Sequence, residues 1–426
     1  MHLDAGANGI EIGRVAFYRS SGLTTVDFGG NIVSIGGSAF QYCTSLKEIN
    51  LTERLKTIGL QAFSGCTGLT EINLTDNIED IGDNAFYNTR LKSIHIPNNS
   101  QYTEIGEYTF SFAHISDVVI PDNIKKIGNS AFSSCSVQTV DLGSVETIGS
   151  NAFNNCSISK LYLPKTLTSL ESDAFTGNYG LKEYTGDSIF NPVKYSETKQ
   201  GSTYLISDPV TSQQGDETVT TYTLLSVASG ATEFEFPSNI TAIARNACSY
   251  GSCAEISIPN SITSIGTNAF YYNPSLTKVV LPLGTTSIPE GMFGWCTKLE
   301  TVYVRSVTGD ESSFNDLSPI KTVGTQAFYL CRKLGNLYFR DLTSVGNSAF
   351  TSCQMLGDLT VNNATPPSLG SNVFGDTFSS DSMIGSKSET KTLTVPANAG
   401  DAYSDSYCLW SQLLAKDYGF TLIELS

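Results

Sequence analysis

The sequence predicts an α/β-type repeat solenoid, mostly β: a right-handed coil of about fourteen turns, each about 23 residues long, with a parallel sheet along one face. Three observations carry that expectation. A six-residue marker, I-G-x-x-A-F, recurs along the chain. A second block, L-x-x-I-x-L, begins six residues after the marker phenylalanine. The marker phenylalanines also recur at a nearly constant step, and self-similarity with a period of roughly 20 to 50 residues marks stacked repeats rather than separate domains.

The marker stands as Ile35-Gly36…Ala39-Phe40, Ile58-Gly59…Ala62-Phe63, Ile81-Gly82…Ala85-Phe86, Ile127-Gly128…Ala131-Phe132 and Ile265-Gly266…Ala269-Phe270. Looser copies include Ile105-Gly106…Thr109-Phe110, Leu170…Ala174-Phe175, Ile243…Ala247-Cys248, Ile288-Pro289…Met292-Phe293 and Leu369-Gly370…Val373-Phe374. Those at Ile12, Ile148, Val323 and Val345 complete the fourteen. From Phe17 through Phe40, Phe63, Phe86, Phe110, Phe132, Phe153 and Phe175 the steps are 23, 23, 23, 24, 22, 21 and 22 residues. In this reading the glycine after Ile supplies freedom for a tight turn, and the phenylalanine plugs the core of its coil.

The second block appears as Leu46…Ile49…Leu51, Leu69…Ile72…Leu74, Leu91…Ile94…Ile96-Pro97, Ile158…Leu161…Leu163-Pro164 and Leu276…Val279…Leu281-Pro282. Its last two apolar positions alternate with a polar one, the pattern of a short half-buried strand. Proline at its end removes a ladder donor and stops the strand. Asn31, Asn77, Asn123 and Asn239 then lead toward the next Ile. One coil is too small to bury its own apolar side, so coils stack. At about 4.8 Å per rung, fourteen strands would form a sheet roughly 65 Å long.

Interruptions divide the chain into four stretches. Repeats occupy 1–183; an inserted β-hairpin-like segment spans 184–230, with Tyr204-Leu205-Ile206 and Val219 to Leu225 flanking polar Ser212 to Glu217. A second run of repeats fills 231–374 and carries a Ser-, Asp- and Gly-rich loop insertion at 306–319. Residues 375–426 drop the marker and are expected to cap the exposed end, with a strand at Leu393-Thr394-Val395 and a helix over Tyr407 to Tyr418. Insertions in repeat arrays lie on one face, which is either the binding face or simply where loops are tolerated.

Charged residues are 15% of the chain, 25 basic against 41 acidic, for a net charge of −16. Nucleic acid and anionic membrane both require a cationic footprint, so neither is expected as a partner. No apolar stretch approaches the roughly 18 residues of a membrane span, and direct membrane insertion is not expected. Met1-His2-Leu3-Asp4-Ala5-Gly6 has neither the basic start nor the apolar segment of a signal peptide; we expect that a natural leader has been removed.

Features that first look chemical are mostly absorbed by the repeat. Seven of the ten cysteines, Cys43, Cys66, Cys135, Cys156, Cys296, Cys331 and Cys353, lie three residues after the marker phenylalanine. Other copies place Thr89, Ala113, Asn178, Asn273 or Thr377 there. Exchange with small residues and hydrogen-bonding groups describes a buried structural slot that suits a free thiol. Short-range disulfides between neighbouring coils and a metal site are the alternatives. The three histidines, His2, His95 and His114, form no paired metal spacing, and no G-x-S-x-G or G-x-x-x-x-G-K-[ST] motif occurs. Asp310, Glu311 and Asp316 are a loose acidic cluster matching no calcium loop. No catalytic residue, metal or cofactor is expected.

Binding candidates come from the middle position of the strand block, which faces away from the core. Successive copies place Asp27, Asn50, Asn73, His95, Val119, Asp141, Tyr162, Ser257, Val280, Tyr303, Tyr338 and Thr360 there. Arg305 and Arg340 follow two of these strands, so Tyr303, Arg305, Tyr338 and Arg340 are expected to cluster on adjacent rungs, with Tyr162 exposed further along. Tyr and Arg are enriched at interface hot spots, although cross-strand pairing alone also accounts for such a cluster.

The combined pattern, L-x-x-I-x-L-P-x-x-I-x-x-I-G-x-x-A-F-x-x-C, resembles the bacterial leucine-rich repeats of the BspA-like, or Treponema-type, family over about residues 10 to 374. Leu393-Thr394-Val395-Pro396…Tyr403…Trp410 resembles the family's closing segment. The resemblance implies a leucine-rich repeat fold and a surface-displayed or secreted protein, linked to adhesion to host or bacterial surfaces. A non-enzymatic, monomeric binding scaffold for a host or bacterial surface protein is therefore expected. A glycan ligand is the alternative; a structural role in a surface layer, or an enzyme built on an insertion, is also open.

Overall fold

The computed structural model describes residues 9–28, 31–181, 239–306, 319–375, 391–405 and 420–424. It also describes 183–186, 193–194, 203–206, 210–214, 217–227, 232, 234–236, 315–317 and Trp410. The chain forms two compact units. The first is Met1–Tyr195 with Thr203–Leu205 and Ala228–Gly230; the second is Ser196–Ser202, Ile206–Val227 and Ala231–Ser426. Both are stacks of β-coils, about 13 turns in all, with almost no helix.

Each coil of the first unit contributes up to two short strands. The front strand is the expected one: Thr25–Asp27 pairs in parallel with Glu48–Asn50, Asp117–Val119 with Thr139–Asp141, and Lys160–Leu163 with Glu183–Gly186. Side chains alternate, as in Lys160–Leu163, where Leu161 and Leu163 are buried and Tyr162 is exposed. The front is not one continuous ladder, however. The blocks at 69–74 and 91–96 bury Leu69, Leu74, Leu91 and Ile96 without forming strands. Side chains join the coils there instead: Asp76 Oδ1 lies 2.7 Å from His95 Nε2 and accepts the Asn98 amide at 2.8 Å.

A second parallel ladder, which the motif did not announce, runs through the marker isoleucines. Ile12, Ile35, Ile58 and Ile81 sit in register on four successive strands, and Ile105, Ile127, Ile148 and Leu170 on four more. The strands are mostly two residues long, too short for alternation to be read from sequence. Ion pairs of 2.7–2.8 Å, Lys126 with Glu104 and Lys56 with Glu79, join neighbouring rungs on the outside.

Between the two ladders lies the marker turn, built on a regular backbone alternation. The residues two before and two after most of the phenylalanines have positive φ: Ser38 and Tyr42 around Phe40, Gln61 and Gly65 around Phe63, Asn84 and Asn88 around Phe86. Alternate amides then point to the next coil. The N–H groups of Ser38, Phe40 and Tyr42 donate to the carbonyls of Leu60, Ala62 and Ser64, each at 2.8 Å. Those of Ala39, Gln41 and Cys43 close turns within their own coil. The device pairs successive backbone amides alternately between and within coils, as a buried turn requires.

The expectation that the marker glycine serves a turn is corrected. Gly36 and Gly59 are absent from the positive-φ positions. A Cβ at Gly36 would stand 2.7 Å from the Arg14 nitrogen, and one at Gly59 2.6 Å from the Gly37 nitrogen. The glycine is required because neighbouring backbones approach too closely for any side chain.

Inside, the marker rings stack. Centroids from Phe17 through Phe175 follow one another at 5.0 to 5.5 Å with planes within 19°. In the second unit Phe270, Phe293, Phe328, Phe350 and Phe374 form a stack of their own at 5.4 to 5.9 Å. Trp410, almost fully buried, leans on Phe374 at 6.1 Å and donates its indole N–H to the Pro367 carbonyl at 2.7 Å.

Two features of the second unit exceed the sequence reading. Val210–Gln214 and Glu217–Val227 form an antiparallel hairpin, but Tyr222–Leu224 also runs parallel to Ile240–Ile243, with Leu224 in register with the marker Ile243. The hairpin's long strand is thus itself a rung. In the shorter insertion, Asn315–Asp316 pairs with Leu337–Phe339 and adds a front rung of its own. At the C-terminal end Lys391–Val395 and Phe420–Glu424 extend the front ladder beyond Leu359–Val361, and the short helix Gly400–Ser404 lies between them in the chain. Most of the helix expected over Tyr407 to Tyr418 lies outside the described residues.

The cysteine slot has a physical explanation. Cys43, Cys66, Cys135, Cys156, Cys296, Cys331 and Cys353 each donate a thiol hydrogen bond of 3.0–3.2 Å to the marker Phe carbonyl of the preceding coil. Asn178 and Asn273 use the same slot, each donating to the preceding coil's marker carbonyl and to its own. The nine described cysteines are buried and form no disulfide. Burial pushes the thiols of Cys66, Cys156 and Cys296 up to about 12. An unfolded thiol ionises near pH 8.5. The raised folded value therefore contributes stability that is complete below about pH 8.5 and is lost as pH rises toward 12. Titration of the native protein with a thiol reagent at pH 8 should find these groups unreactive. Unfolding without reductant should release them, and fewer than seven free thiols would contradict the slot.

Candidate ligand-binding face

The outward positions of the front strands fall into two groups. In the first unit Asp27, Asn50, Asn73, His95, Val119, Asp141 and Tyr162 are all exposed. Tyr162 is 53% exposed and stands opposite Thr185 in register. In the second unit the face is covered. Ser257 is exposed, but Val280 is buried, Tyr303 is only 3% exposed, and Tyr338 and Thr360 are half-buried.

The expected cluster of Tyr303, Arg305, Tyr338 and Arg340 therefore does not form as drawn. Tyr303 is on Thr301–Val304 and Tyr338 on Leu337–Phe339, and Asn315–Asp316 pairs with the latter, its Asp316 in register with Tyr338. The insertion supplies a rung of its own where the motif spacing implied direct neighbours. Arg340 turns to the adjacent Asp341 at 2.9 Å. Tyr303 and Arg305 instead face the opposite way along the unit. The Lys278 ammonium lies 5.6 Å from the centre of the Tyr303 ring, within cation–π range. Arg305 reaches across the intervening strand to donate to Ser257 Oγ at 2.8 Å and to Asn260 Oδ1 at 3.3 Å.

A groove opens beside this cluster. It encloses about 410 Å³ and is lined by Phe234, Glu235, Phe236, Glu255, Ser257, Lys278 and Val280, with Ile256 and Pro259. In the sequence, residues 231–237 repeat the strand block with Phe234 and Phe236 at its last two apolar positions. The two rings meet edge-on at 4.9 Å and stay half-buried. These rings and the Glu235 carboxylate form part of the groove's wall.

Chemically, the groove offers an apolar floor and wall with carboxylates and a cation at its rim, the mix that orients a bound ligand. Phe234, Phe236, Glu255 and Lys278 escaped the sequence reading because their spacing is that of ordinary rungs. Asp310 and Glu311 of the acidic cluster lie outside the described residues. Among the described ones no group of three or more His, Cys, Asp or Glu is placed to hold a metal.

Comparison with known proteins places this geometry in context. The model of the BspA type leucine rich repeat region matches residues 3–104, 103–196, 224–323 and 311–394. A leucine rich cell surface protein from Faecalibacterium prausnitzii A2-165 superposes with a TM-score of 0.62 at 24% identity, over 85% of this chain and 86% of that one. The pneumococcal vaccine antigen PcpA superposes with a TM-score of 0.55 at 18% identity, over 100% of this chain and 91% of that one. At such identities the likeness is one of fold. No curated protein matches the sequence. Among the described residues no helix is long and apolar enough to cross a membrane.

The two tyrosines should respond oppositely to truncation. Tyr303→Ser should cost about 3 kcal/mol, as removal of a buried aromatic does. Tyr162→Ser should stay within about 0.5 kcal/mol. Urea unfolding of both variants checks this, and equal losses would contradict the placement of Tyr303.

Proposed function

Because the chain belongs to the BspA-type leucine-rich repeat family, we propose that it is a non-enzymatic binding scaffold, displayed on a bacterial cell surface or secreted. It holds an extended segment of a protein partner against the front face of its second unit, and adhesion is the biological use. The observation that carries this reading is the groove at 234–236, where aromatic side chains, Lys278 and two carboxylates surround a cleft of about 410 Å³. A segment laid there would meet both an apolar floor and fixed charges, which supply anchoring and orientation respectively. The net charge of −16 adds long-range steering toward basic partners.

Surface plasmon resonance against a panel of extracellular-matrix and bacterial surface proteins tests the reading. A partner should emerge whose affinity falls at least about tenfold in Phe236→Ala with Lys278→Glu, a loss of roughly 1.4 kcal/mol. Circular dichroism and melting of that variant should match the parent. Unchanged affinity in the folded variant would remove the groove from the account, and binding to glycans alone would favour the carbohydrate reading.

A further inference from the structure

The residue two after each marker phenylalanine adopts a left-handed backbone conformation, φ between 53° and 64° in the non-glycine cases. Residues that tolerate this conformation fill it in many coils: Asn88, Ser134, Asn155 and Ser352, or Gly65 and Gly177. Bulky residues also occupy it, at Arg19, Tyr42, Phe112 and Leu330, and three consecutive coils of the second unit carry rings there: Tyr250, Tyr272 and Trp295. Bulky side chains in left-handed backbone are strained, and such strain persists where surrounding structure or function compensates it.

These rings touch one another on the surface. Tyr250 stacks on Tyr272 at 5.1 Å, Tyr272 meets Trp295 at 5.8 Å, and Trp295 meets Tyr329 at 6.2 Å. Tyr271 joins from the side at 6.2 Å from Tyr250. A Cβ on Gly294 would come within 3.0 Å of the Tyr271 ring, so the glycine leaves room for it. Trp295 is 36% exposed and the tyrosines are half-buried. Burial raises the phenol groups of Tyr250 and Tyr271, and nearby phenols add to it: Tyr272 for the first, and Tyr250, Tyr329 and Tyr272 for the second. The ring spacings gather the phenols of Tyr250, Tyr271 and Tyr272 at one place. Ser249, Gly294 and Leu330, which share these turns, carry no charge.

We propose that this strip, Tyr250, Tyr271, Tyr272, Trp295 and Tyr329, is a binding site for a neutral polysaccharide chain. A run of rings across four coils suits a polymer rather than a single sugar. Aromatic edges and faces take the apolar C–H surfaces of pyranose rings, and gathered phenols donate to and accept from vicinal hydroxyls. The absence of charge on the strip, in a chain of net charge −16, matches an uncharged polyol and not an acidic or basic peptide. None of these residues lines the groove at 234–236, so the site stands or falls independently of the protein-binding reading.

Affinity electrophoresis of the full chain through gels containing a neutral β-glucan, a mannan or an arabinoxylan, with heparin as charged control, tests the proposal. At least one neutral polymer should retard the protein, and heparin should not. Tyr272→Ser with Trp295→Ser should weaken that retardation at least tenfold, while Phe236→Ala in the groove should leave it intact. A measurement without substitution guards against misfolding. Trp295 is the exposed one of the two tryptophans, since Trp410 is 1% exposed. Oligosaccharides of the retarding polymer should therefore shield tryptophan fluorescence from acrylamide in the parent protein. Absence of retardation by every neutral polymer, retention of binding in the folded double variant, or unshielded fluorescence would each overturn the proposal.

Discussion

Ring-on-ring stacking of the marker phenylalanines, at 5.0 to 5.5 Å through the first unit, sets the rise from coil to coil. Parallel strands in a sheet lie about 4.8 Å apart. A slightly offset stack meets that spacing closely, so one translation satisfies core and ladders together. Each fully buried ring contributes roughly 1.5–3 kcal/mol from burial, and stacking adds about 0.5–1.5 kcal/mol per pair. The alternation of positive and negative φ around each ring points alternate amides to the next coil, and the marker glycines let those backbones close to the required distance. Cysteine or asparagine then satisfies the ring residue's own carbonyl across the coil boundary.

This dependence explains which parts of the fold were legible in the sequence. A side chain confined to one slot in every coil repeats in the sequence, so Phe, the marker Ile, the front strand and the Cys position could all be read directly. Backbone requirements were harder to read. The second ladder runs through strands of two residues, too short to show alternation. The glycine leaves the same trace whether it serves a turn or a close approach, and only the φ values and the 2.6–2.7 Å clearances separate the two. Leu224 occupies a marker position with no Ile-Gly around it, so its rung was invisible.

The binding face was legible in direction and not in occupancy. Alternation correctly points Tyr162 outward. It cannot report that Asn315–Asp316 pairs beside Tyr338, or that Tyr303 is covered and lies under Lys278. Both outcomes come from insertions and irregular rungs, where the period is interrupted. The candidate sites follow the same logic. The groove lies where Phe234 and Phe236 face Glu255 and Lys278, and the aromatic strip stands out because three consecutive coils place rings at one turn position.

If the phenylalanine stack is the element on which the ladders depend, it should also be the last to open. Native-state hydrogen exchange of the first unit measures this directly. The amides of Phe40, Phe63, Phe86 and Phe132, which bond to the next coil's carbonyls at 2.8–2.9 Å, should exchange most slowly and as one cooperative group. Front-strand amides, such as those in Glu48–Asn50, should exchange sooner. Front-strand amides outlasting the phenylalanine turns would contradict the account.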